Sequence, residues 1–442
     1  MLQKVATTGV DLDNVYDQTL RRIKEQKGGR SRLGVEVLMW VSHAERPLRI
    51  DELCIALAVE VETAELDLEN IRPQDTILGS CLGLAVVDRK TSTVRLIHYT
   101  LQEYLSRPGI LPGAHRILGE TCLTYLNYDQ VKRLSVNNHL NLRDTPFLEY
   151  SSLHWVNHAK MELSDHAKSL ALKLLTRFDC HISSALLFNK IHNTHVPQFS
   201  RSRLNGLQCA SYFGIDEVVA ALIEMECYDI NQGDEWGFTP LIWAARQGNL
   251  GVVKLLLTCG DVNPDKPGGD CGTPLYWASQ KGHEGVVRLL LARDDVNPDK
   301  PGSGDQTPLH WASRKGHEGV VGLLLARDDV NPDKPGSGGE TPLHWASANR
   351  HGGGVVGLLL ARYDVNPNQP DICGQTPLLW ASWHGNEEVV RLLLTRDDVN
   401  PDKPDNDGKT PLYWASRNGH DAVVRLLLAR NNANPYKSDN DS

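Results

Sequence analysis

The chain has 442 residues, of which 40% are hydrophobic and 23% charged, so it is typical of folded protein and too long for one ordinary core. It contains no apolar run of the ~18–20 residues that a membrane span needs, and its start lacks the apolar segment of a secretory signal. The formal net charge of −9 arises in residues 201–442, which hold 23 basic and 32 acidic residues. This charge disfavours phosphate-neutralising contacts with nucleic acid and is compatible with a basic protein partner.

Nine cysteines occur without a CxxC pair, which predicts reduced thiols rather than a disulfide framework. Reduced thiols are typical of the cytosol and nucleus, and we expect the protein to be cytoplasmic. The basic cluster RRIKEQKGGRSR at 21–32 leaves a nuclear location open, because such clusters can act as import signals. A solvated helix end followed by a loop is the favoured interpretation of that cluster.

The first hundred residues predict an N-terminal amphipathic helix at 11–27 and then a small mixed domain. The domain consists of three helices, a β-hairpin and a short closing helix, carried in order by RLGVEVLMWVSHA, RIDELCIALAV, PQDTILGSCLGL, AVVD with TVRLIHY, and TLQEYLSRP. Three helices followed by a hairpin is the order of a winged-helix domain.

Winged helices often bind DNA through the third helix, which enters the major groove. Here that helix, DTILGSCLGLA, contains no Lys or Arg, and the hairpin carries only Arg89, Lys90 and Arg95. A winged helix that packs against protein is therefore favoured. A DNA-binding regulator is kept as the alternative of another functional class.

Several sequence segments in the first half of the chain resemble those of one protein family. LDNVYDQTLRRI, VSHAERPLRIDELCIALAV and VRLIHYTLQEYL resemble the winged-helix segment after the nucleotidase of fungal NACHT–ankyrin proteins, which are NLR-like members of the STAND class of signalling ATPases. ILGETCLTYLNYD and PFLEYSSLHWVNHA resemble the helical segment that joins this domain to the repeats of that family. The resemblance implies that the chain is the sensor or regulatory part of a signalling receptor. A free-standing adaptor or scaffold is the alternative.

The nucleotidase of that family needs a glycine-rich loop with Lys and Ser or Thr to hold phosphate and magnesium. The single Gly-Lys-Thr, at 408–410, has Lys403 where the first glycine should be, so it is read as a chance match. The chain begins close to where a NACHT domain would end. A shortened paralogue and a truncated gene model are both compatible with this.

The second half contains an internal repeat. Thr-Pro-Leu begins at Thr239, Thr273, Thr307, Thr341, Thr376 and Thr410, with spacings of 34, 34, 34, 35 and 34 residues. A degenerate copy lies upstream, because Ala210 and Gly214 precede Ala244 and Gly248 by 34 residues. Seven units are therefore predicted between about residues 203 and 436.

Each unit predicts two short antiparallel helices and a loop. In TPLHWAS at 307–313, Thr can cap a helix and Pro suits its first turn, while Gly316 is the kind of residue that ends it. HEGVVGLLLAR forms the second helix, and DDVNPDKPGSGD forms the loop. TPLHWA, the KGH turn, GVVxLLL and the D-V-N loop resemble the ankyrin repeat.

One position in the repeats departs from the ankyrin pattern, and one tryptophan recurs in six of them. His310 and His344 keep the histidine of the ankyrin TPLH motif, whereas the other four units have Ile242, Tyr276, Leu379 and Tyr413, which puts the local Thr–His hydrogen bond in doubt there. A tryptophan recurs at 243, 277, 311, 345, 380 and 414. We expect this ladder to be core that packs one repeat on the next, and not an exposed stacking platform.

The ankyrin resemblance implies protein binding on a concave face formed by the inner helices and loop tips. The residues predicted on that face are Arg246, Gln247, Gln280, Lys281, Arg314, Lys315, Ala348, Asn349, Trp383, His384, Arg417 and Asn418. Trp383 is singled out because aromatic anchors often dominate interfaces. Solvated helix ends are the alternative interpretation of each residue.

No catalytic, cofactor-binding or metal-ligating set is predicted. HEGVV at 283 and 317 has Val287 and Val321 where a zinc-protease helix needs its second histidine, and no nucleophile elbow occurs. We therefore predict a non-enzymatic chain with protein partners and without cofactor, nucleic acid, membrane or small-molecule substrate.

The predicted fold is mostly α, an ankyrin solenoid preceded by a winged-helix domain and a helical linker region. Its parts are an N-terminal helix and linker at 1–30, the winged-helix domain at 31–108, a helical connector at 109–202, the repeats at 203–436 and a tail at 437–442.

Overall fold

The computed structural model describes residues 12–61, 63–134, 145–192 and 203–430. The predicted tail at 437–442 and the first eleven residues lie outside this part. Contacts divide the described residues into two compact units. The first extends to Ala210 and includes Ala220–Cys227, and the second consists of Ser211–Val219 and the residues from Tyr228 onward.

The first unit begins with the predicted winged-helix order. Its elements are α1 (Leu12–Lys24), α2 (Arg30–His43), α3 (Ile50–Ala56), a 3₁₀ turn at Leu68–Asn70, α4 (Gln74–Ser80), β1 (Ala85–Asp88), β2 (Thr93–Leu96) and α5 (Tyr99–Leu105). The amphipathic helix predicted at 11–27 is α1, whose buried face carries Tyr16, Leu20 and Ile23 at helical spacing.

The strands pair antiparallel with Ala85 opposite Leu96 and Asp88 opposite Thr93. The segment before α3 joins the same sheet edge, because the Val94 amide donates to the Leu48 carbonyl at 2.8 Å. Arg95 and Asp88 make an ion pair at 3.4 Å beside the turn. The hairpin is therefore fixed on both sides, as the wing of a winged helix should be.

Helix α1 packs on α5 rather than standing apart from the domain. Tyr16 Oη lies 2.8 Å from Thr100 Oγ1, Tyr104 donates to the Asp17 carboxylate, and Arg107 pairs with Asp13 at 2.5 Å. These hydrogen bonds and this ion pair connect the N-terminal helix to the winged-helix domain.

The helical connector completes the first unit. Its helices are α6 (Ala114–Leu126), α7 (Asp129–Lys132), α8 (Leu148–Met161), α9 (Asp165–Leu175) and α10 (Ile182–His192), with a 3₁₀ turn at Phe178–Cys180. Trp40 of α2 meets Phe147 and Tyr150 edge to face at 5.5 and 5.8 Å. The winged-helix domain and the connector thus share one aromatic core.

The repeats form helix pairs in which the first member is called inner and the second outer. The inner helices are α11 (Gly206–Phe213), α13 (Pro240–Gln247), α15 (Pro274–Lys281), α17 (Pro308–Lys315), α19 (Pro342–Ala348), α21 (Pro377–His384) and α23 (Pro411–Arg417). The outer helices are α12 (Asp216–Glu224), α14 (Leu250–Leu257), α16 (Glu284–Leu291), α18 (Glu318–Leu325), α20 (Gly353–Leu360), α22 (Glu387–Leu393) and α24 (Asp421–Ala429). A 3₁₀ turn lies at Ser303–Asp305.

Turn chemistry sets the ends of the inner helices as the sequence predicted. The Thr376 side chain accepts a hydrogen bond from the Leu379 amide, and Pro377 occupies the first helical turn. Gly316 and Gly385 end their helices at φ of 73° and 72°, a conformation that is costly for residues with a Cβ atom.

Arginines after the outer helices connect successive repeats. Arg327 donates to the Leu291 carbonyl of the preceding repeat at 2.9 Å and pairs with Asp329 at 2.7 Å. Arg362 does the same with Leu325 and Asp364. Each arginine thus has both a neutral partner across the repeat junction and a carboxylate in its own loop.

A second set of hydrogen bonds joins the loops, and one position in it is Asp in some repeats and Asn in others. Asn368 accepts from the Asn400 amide at 2.8 Å and also donates to the Asp398 carbonyl. Asp299 accepts from the Asn331 amide at 2.8 Å through one oxygen, while its other oxygen is buried without a hydrogen-bond partner. Burial also raises the pKa of Asp299.

The variant Asp299→Asn is expected to stabilise the repeats by about 1 kcal/mol, because the amide keeps the acceptor and adds a donor for the Asp329 carbonyl. Urea unfolding followed by circular dichroism measures this gain. Asp294→Asn removes the same charge at an exposed position of that loop and should change stability little. A loss of stability in Asp299→Asn would contradict the interpretation.

Candidate functional site

The predicted partner-binding residues lie at, or one residue beyond, the C-terminal ends of the inner helices α13 to α23. Gln247, Lys281, Arg314, Lys315, Trp383, His384, Arg417 and Asn418 are exposed, and Arg246, Gln280, Ala348 and Asn349 are half-buried. We call this row, together with the tryptophans three or four residues before the helix ends, the inner-helix face.

The tryptophan ladder is only partly core. Trp243 and Trp277 are buried, at 0% and 8% exposure, as predicted. The prediction is wrong for the other four, because Trp311, Trp345, Trp380 and Trp414 are half-buried. Four indole rings therefore contribute to the surface of the inner-helix face.

At two places on this face one arginine lies over the rings of two neighbouring tryptophans. The Arg246 guanidinium is 5.5 Å from the Trp243 ring and 4.8 Å from the Trp277 ring. Arg314 bridges Trp311 and Trp345 in the same way, at 5.1 and 4.3 Å. Cation–π contacts of this kind hold the guanidinium planes in place and contribute about 0.5–1 kcal/mol each at exposed sites.

The last two repeats replace this arrangement with an aromatic stack. Trp383 is 42% exposed and stacks on Trp414, with ring centroids 4.9 Å apart and planes at 14°. Arg417 lies 5.3 Å from the same Trp414 ring. The Trp383 ring is thus exposed to solvent but held in place by its stacking on Trp414.

The hairpin before each inner helix determines whether the tryptophan N–H has an acceptor. Trp380 donates to the Asp371 carboxylate at 3.1 Å, and Trp414 donates to Asp405 at 2.9 Å. Gly336 stands at the equivalent position before Trp345, and the Trp345 N–H is buried without a partner. The missing carboxylate explains the unpaired indole group.

The double variant Gly336→Asp with Glu340→Gln reproduces the Asp371 and Gln375 pair of the next repeat. It is expected to stabilise the protein by about 1–2 kcal/mol, because the new carboxylate can accept from the Trp345 N–H. A Cβ atom at Gly336 would meet the Glu340 carboxyl at 3.2 Å, a flexible group that the second change makes neutral, and the Gly304 backbone carbonyl at 3.3 Å, which must shift slightly.

Thermal or urea unfolding measures the gain, with Glu340→Gln alone as the control. A double variant no more stable than Glu340→Gln would show that the unpaired indole group of Trp345 costs little.

Two buried histidines connect repeats at the N-terminal ends of the inner helices. Thr307 and Thr341 donate their amides to Nδ1 of His310 and His344 at 3.0 Å, so the local Thr–His bond is present in these two repeats. Nε2 of His310 donates to the Glu340 carbonyl at 3.1 Å in the next repeat. Burial lowers the pKa of His310 to about 4 and also lowers that of His344.

The described residues contain no group of three or more His, Cys, Asp or Glu side chains placed to hold a metal ion. Over the same part of the chain, no helix is long and apolar enough to cross a bilayer. In the winged-helix domain, α4 has no basic residue, and Arg89 and Lys90 of the turn between the strands are exposed.

Family models match both halves of the chain. The ankyrin-repeat model matches in three copies, at residues 207–301, 294–371 and 343–439, which together are more than half of the chain. The chain belongs to the ankyrin-repeat family. Ankyrin repeats are typically non-enzymatic modules for protein interaction, so the repeats indicate protein partners.

The first half is similar to the model described as GPI inositol-deacylase, winged helix domain, at residues 20–111. Among solved structures, the human ASB11 ankyrin repeat domain is 26% identical, with 51% of this chain and 96% of that chain covered at a TM-score of 0.44. The ankyrin repeat domain of Bcl-3 is 25% identical, with 50% and 97% covered at a TM-score of 0.44. No curated protein matches the chain significantly.

The sequence predicts the row of helix ends but places the tryptophans beside it in the core. Phe238 contacts both Trp243 and Trp277, at 5.1 and 5.3 Å, and covers them. The equivalent positions in the later repeats are Gly272, Gln306, Glu340, Gln375 and Lys409. The absence of an aromatic residue there is the signal that could have separated exposed rings from buried ones.

Proposed function

We propose that this chain is the protein-recognition part of a NACHT-type signalling receptor and that its inner-helix face holds the partner. The winged-helix domain and the helical connector would transmit or restrain the signal after binding. On this proposal the chain acts in the cytoplasm and has no catalytic role of its own.

The surface chemistry of the inner-helix face carries the binding part of the proposal. Half-buried tryptophans, an exposed Trp383 stacked on Trp414 and arginines fixed on indole rings lie in one row. Trp and Arg are the residues most enriched among those that dominate binding energy, and they act best when their conformation is already fixed.

The order of the domains supports the receptor context. A winged-helix match precedes the connector and the repeats, as in the NACHT–ankyrin resemblance noted in the sequence. Trp40, Phe147 and Tyr150 pack the winged-helix domain on the connector, which suits a unit that passes on a signal. A free-standing adaptor is the alternative, in which the same two domains serve as a docking unit.

The DNA-binding alternative has less support. Helix α4 offers no cation to a phosphate backbone, and Arg95 of the wing is paired with Asp88. A protein that binds duplex DNA needs several unpaired cations on one recognition surface.

The size of the native protein in its own organism tests the receptor context. An antibody against the repeats should detect a product well above the mass of 442 residues, and the transcript should encode an upstream nucleotide-binding loop. A product of the size given by these 442 residues alone would contradict the receptor proposal and support the adaptor.

Trp383→Ala should weaken binding of the partner by about 2 kcal/mol, because an exposed ring held by stacking is a strong candidate anchor. Tyr363 is 95% exposed on a loop after an outer helix, so Tyr363→Ala is the matched control. Titration of the partner against both variants measures the difference. If the two variants bind the partner with equal affinity, Trp383 does not contribute to recognition.

A further inference from the structure

Four histidines of the first unit lie together where the winged-helix domain meets the connector. His43 is the last residue of α2, His115 is on α6, and His154 and His158 are on α8. His158 is fully buried, and the other three are half-buried. We call these four residues the histidine cluster.

A chain of hydrogen bonds passes through the buried member of the cluster. The Glu45 amide donates to the Tyr150 oxygen at 3.1 Å, and the Tyr150 O–H donates to His158 Nε2 at 2.9 Å. His158 therefore carries its hydrogen on Nδ1 and donates it to His115 Nδ1 at 3.0 Å. The His43 ring meets the His115 ring edge to face at 5.3 Å. These contacts connect the end of α2 with α6 and α8, and they need His158 to be neutral.

Protons would break this hydrogen-bond chain. A second hydrogen on His158 would occupy Nε2, so the Tyr150 O–H would lose its acceptor. If His115 and His158 were both protonated, two N–H donors would face each other across 3.0 Å. Two like charges at such a distance also repel each other in a buried site. The packed arrangement therefore disfavours protons that the same histidines would accept in water.

The surrounding charged groups do not offset this cost. The other titratable or charged groups that act on the cluster are Glu45, Arg46, Glu52, Cys122, Tyr150 and Lys190. Glu52 of α3 is already paired with Arg46 at 2.8 Å, and Glu45 is exposed. These two carboxylates favour a charge on His154, but Arg46 and Lys190 of α10 oppose it. Burial raises the pKa of the Cys122 thiol, which stays neutral in acid.

The titration of the cluster follows from its packing. Burial, and then the neighbouring His115, His154 and His43, lower the pKa of His158 to about 3. Burial also lowers the pKa of His43 and that of His154. Histidines exposed by opening return to a pKa of about 6.5, so the open form takes up protons first as pH falls. The stability of the packed junction is therefore complete above pH 6.5 and is lost as pH falls below it.

We propose that the histidine cluster is a proton-sensitive junction, which holds the end of α2 against α6 and α8 when its imidazoles are neutral and releases it when they are protonated. This regulation goes beyond partner recognition by the repeats and does not depend on it. Between pH 7.5 and 5.5, His158 alone should shift the opening equilibrium about tenfold, and His43 and His154 should add to the shift.

Amide hydrogen exchange of the full chain at pH 7.5 and 5.5, corrected for the intrinsic pH dependence of exchange, tests the proposal. Protection of the end of α2 and of α8 should fall about tenfold or more at pH 5.5. Helix α4 contains no histidine and packs elsewhere on α2, so its protection should change by less than about twofold.

Two variants remove the proton acceptors in different ways. His158→Gln keeps an acceptor for Tyr150 and a donor for His115, and it should flatten the pH response. His43→Gln with His154→Gln leaves the buried residue in place and should reduce the response. His98→Gln changes an exposed histidine of the same domain and is the matched control, which should respond as the unaltered chain does.

A fall in protection confined to the end of α2 and to α8, reduced by both cluster variants and kept in His98→Gln, is the expected result. An equal fall in α4 would show general unfolding by acid and would overturn the proposal. A full pH response in either cluster variant would overturn it as well.

Discussion

Replacing Trp243 with alanine is expected to lower the free energy of unfolding by about 3–5 kcal/mol. The ring is fully buried, contacts Tyr212 and Phe238 at 5.4 and 5.1 Å, and donates to the Asp234 carboxylate at 3.0 Å. Its loss leaves a cavity and also removes a hydrogen-bond donor from the half-buried carboxylate of Asp234. Urea unfolding of the full chain, with the slope compared between variants, measures the cost.

Trp311→Ala is the matched control, because it removes the same side chain from an equivalent but half-buried position. We expect a smaller cost of about 1–2 kcal/mol there, since part of its ring already contacts solvent. Equal costs at the two positions would contradict the division of the ladder into core and surface rings.

Acid should destabilise the repeats strongly between pH 6.5 and 4. The pKa of buried His310 is about 4 in the folded protein, below its ordinary value of 6.5, so the unfolded chain takes up the proton first as pH falls. The stability contributed by neutral His310 is therefore complete above pH 6.5 and is lost as pH falls toward 4. This histidine alone accounts for about 3 kcal/mol.

His344 is buried in the same way, and its pKa is lowered in the same direction. The double variant His310→Leu with His344→Leu copies Leu379 of a later repeat and should flatten the acid dependence. Chemical unfolding measured across this pH range gives the comparison. His158 and His181 of the first unit, with pKa values lowered by burial to about 3 and 4, keep their acid response in this variant. A variant with unchanged pH dependence in the repeats would contradict the assignment.

The fold of the repeats could be predicted because the residues that start and end the helices recur in each repeat. Thr and Pro start each inner helix, and glycine ends most of them, independently of distant contacts. The winged-helix order was predictable for the same reason, since helix periodicity and strand alternation change clearly near Ala85.

The exposure of the tryptophans could not be predicted from their position in the repeat. All six occupy the same place in the sequence pattern, but Phe238 covers only Trp243 and Trp277. The pairing of charges could not be predicted either, because Arg327 meets Asp329 whereas Lys281 has no ion pair among the described residues. Both properties depend on which neighbour meets each side chain in three dimensions.

The central claim, that the inner-helix face is the recognition surface, is tested most directly by site-specific photo-crosslinking in the source cell. A photoreactive residue at Lys281 should give protein adducts of the full chain, whereas one at Arg288 on the neighbouring outer helix should not. Adducts from Arg288 that equal or exceed those from Lys281 would contradict the account.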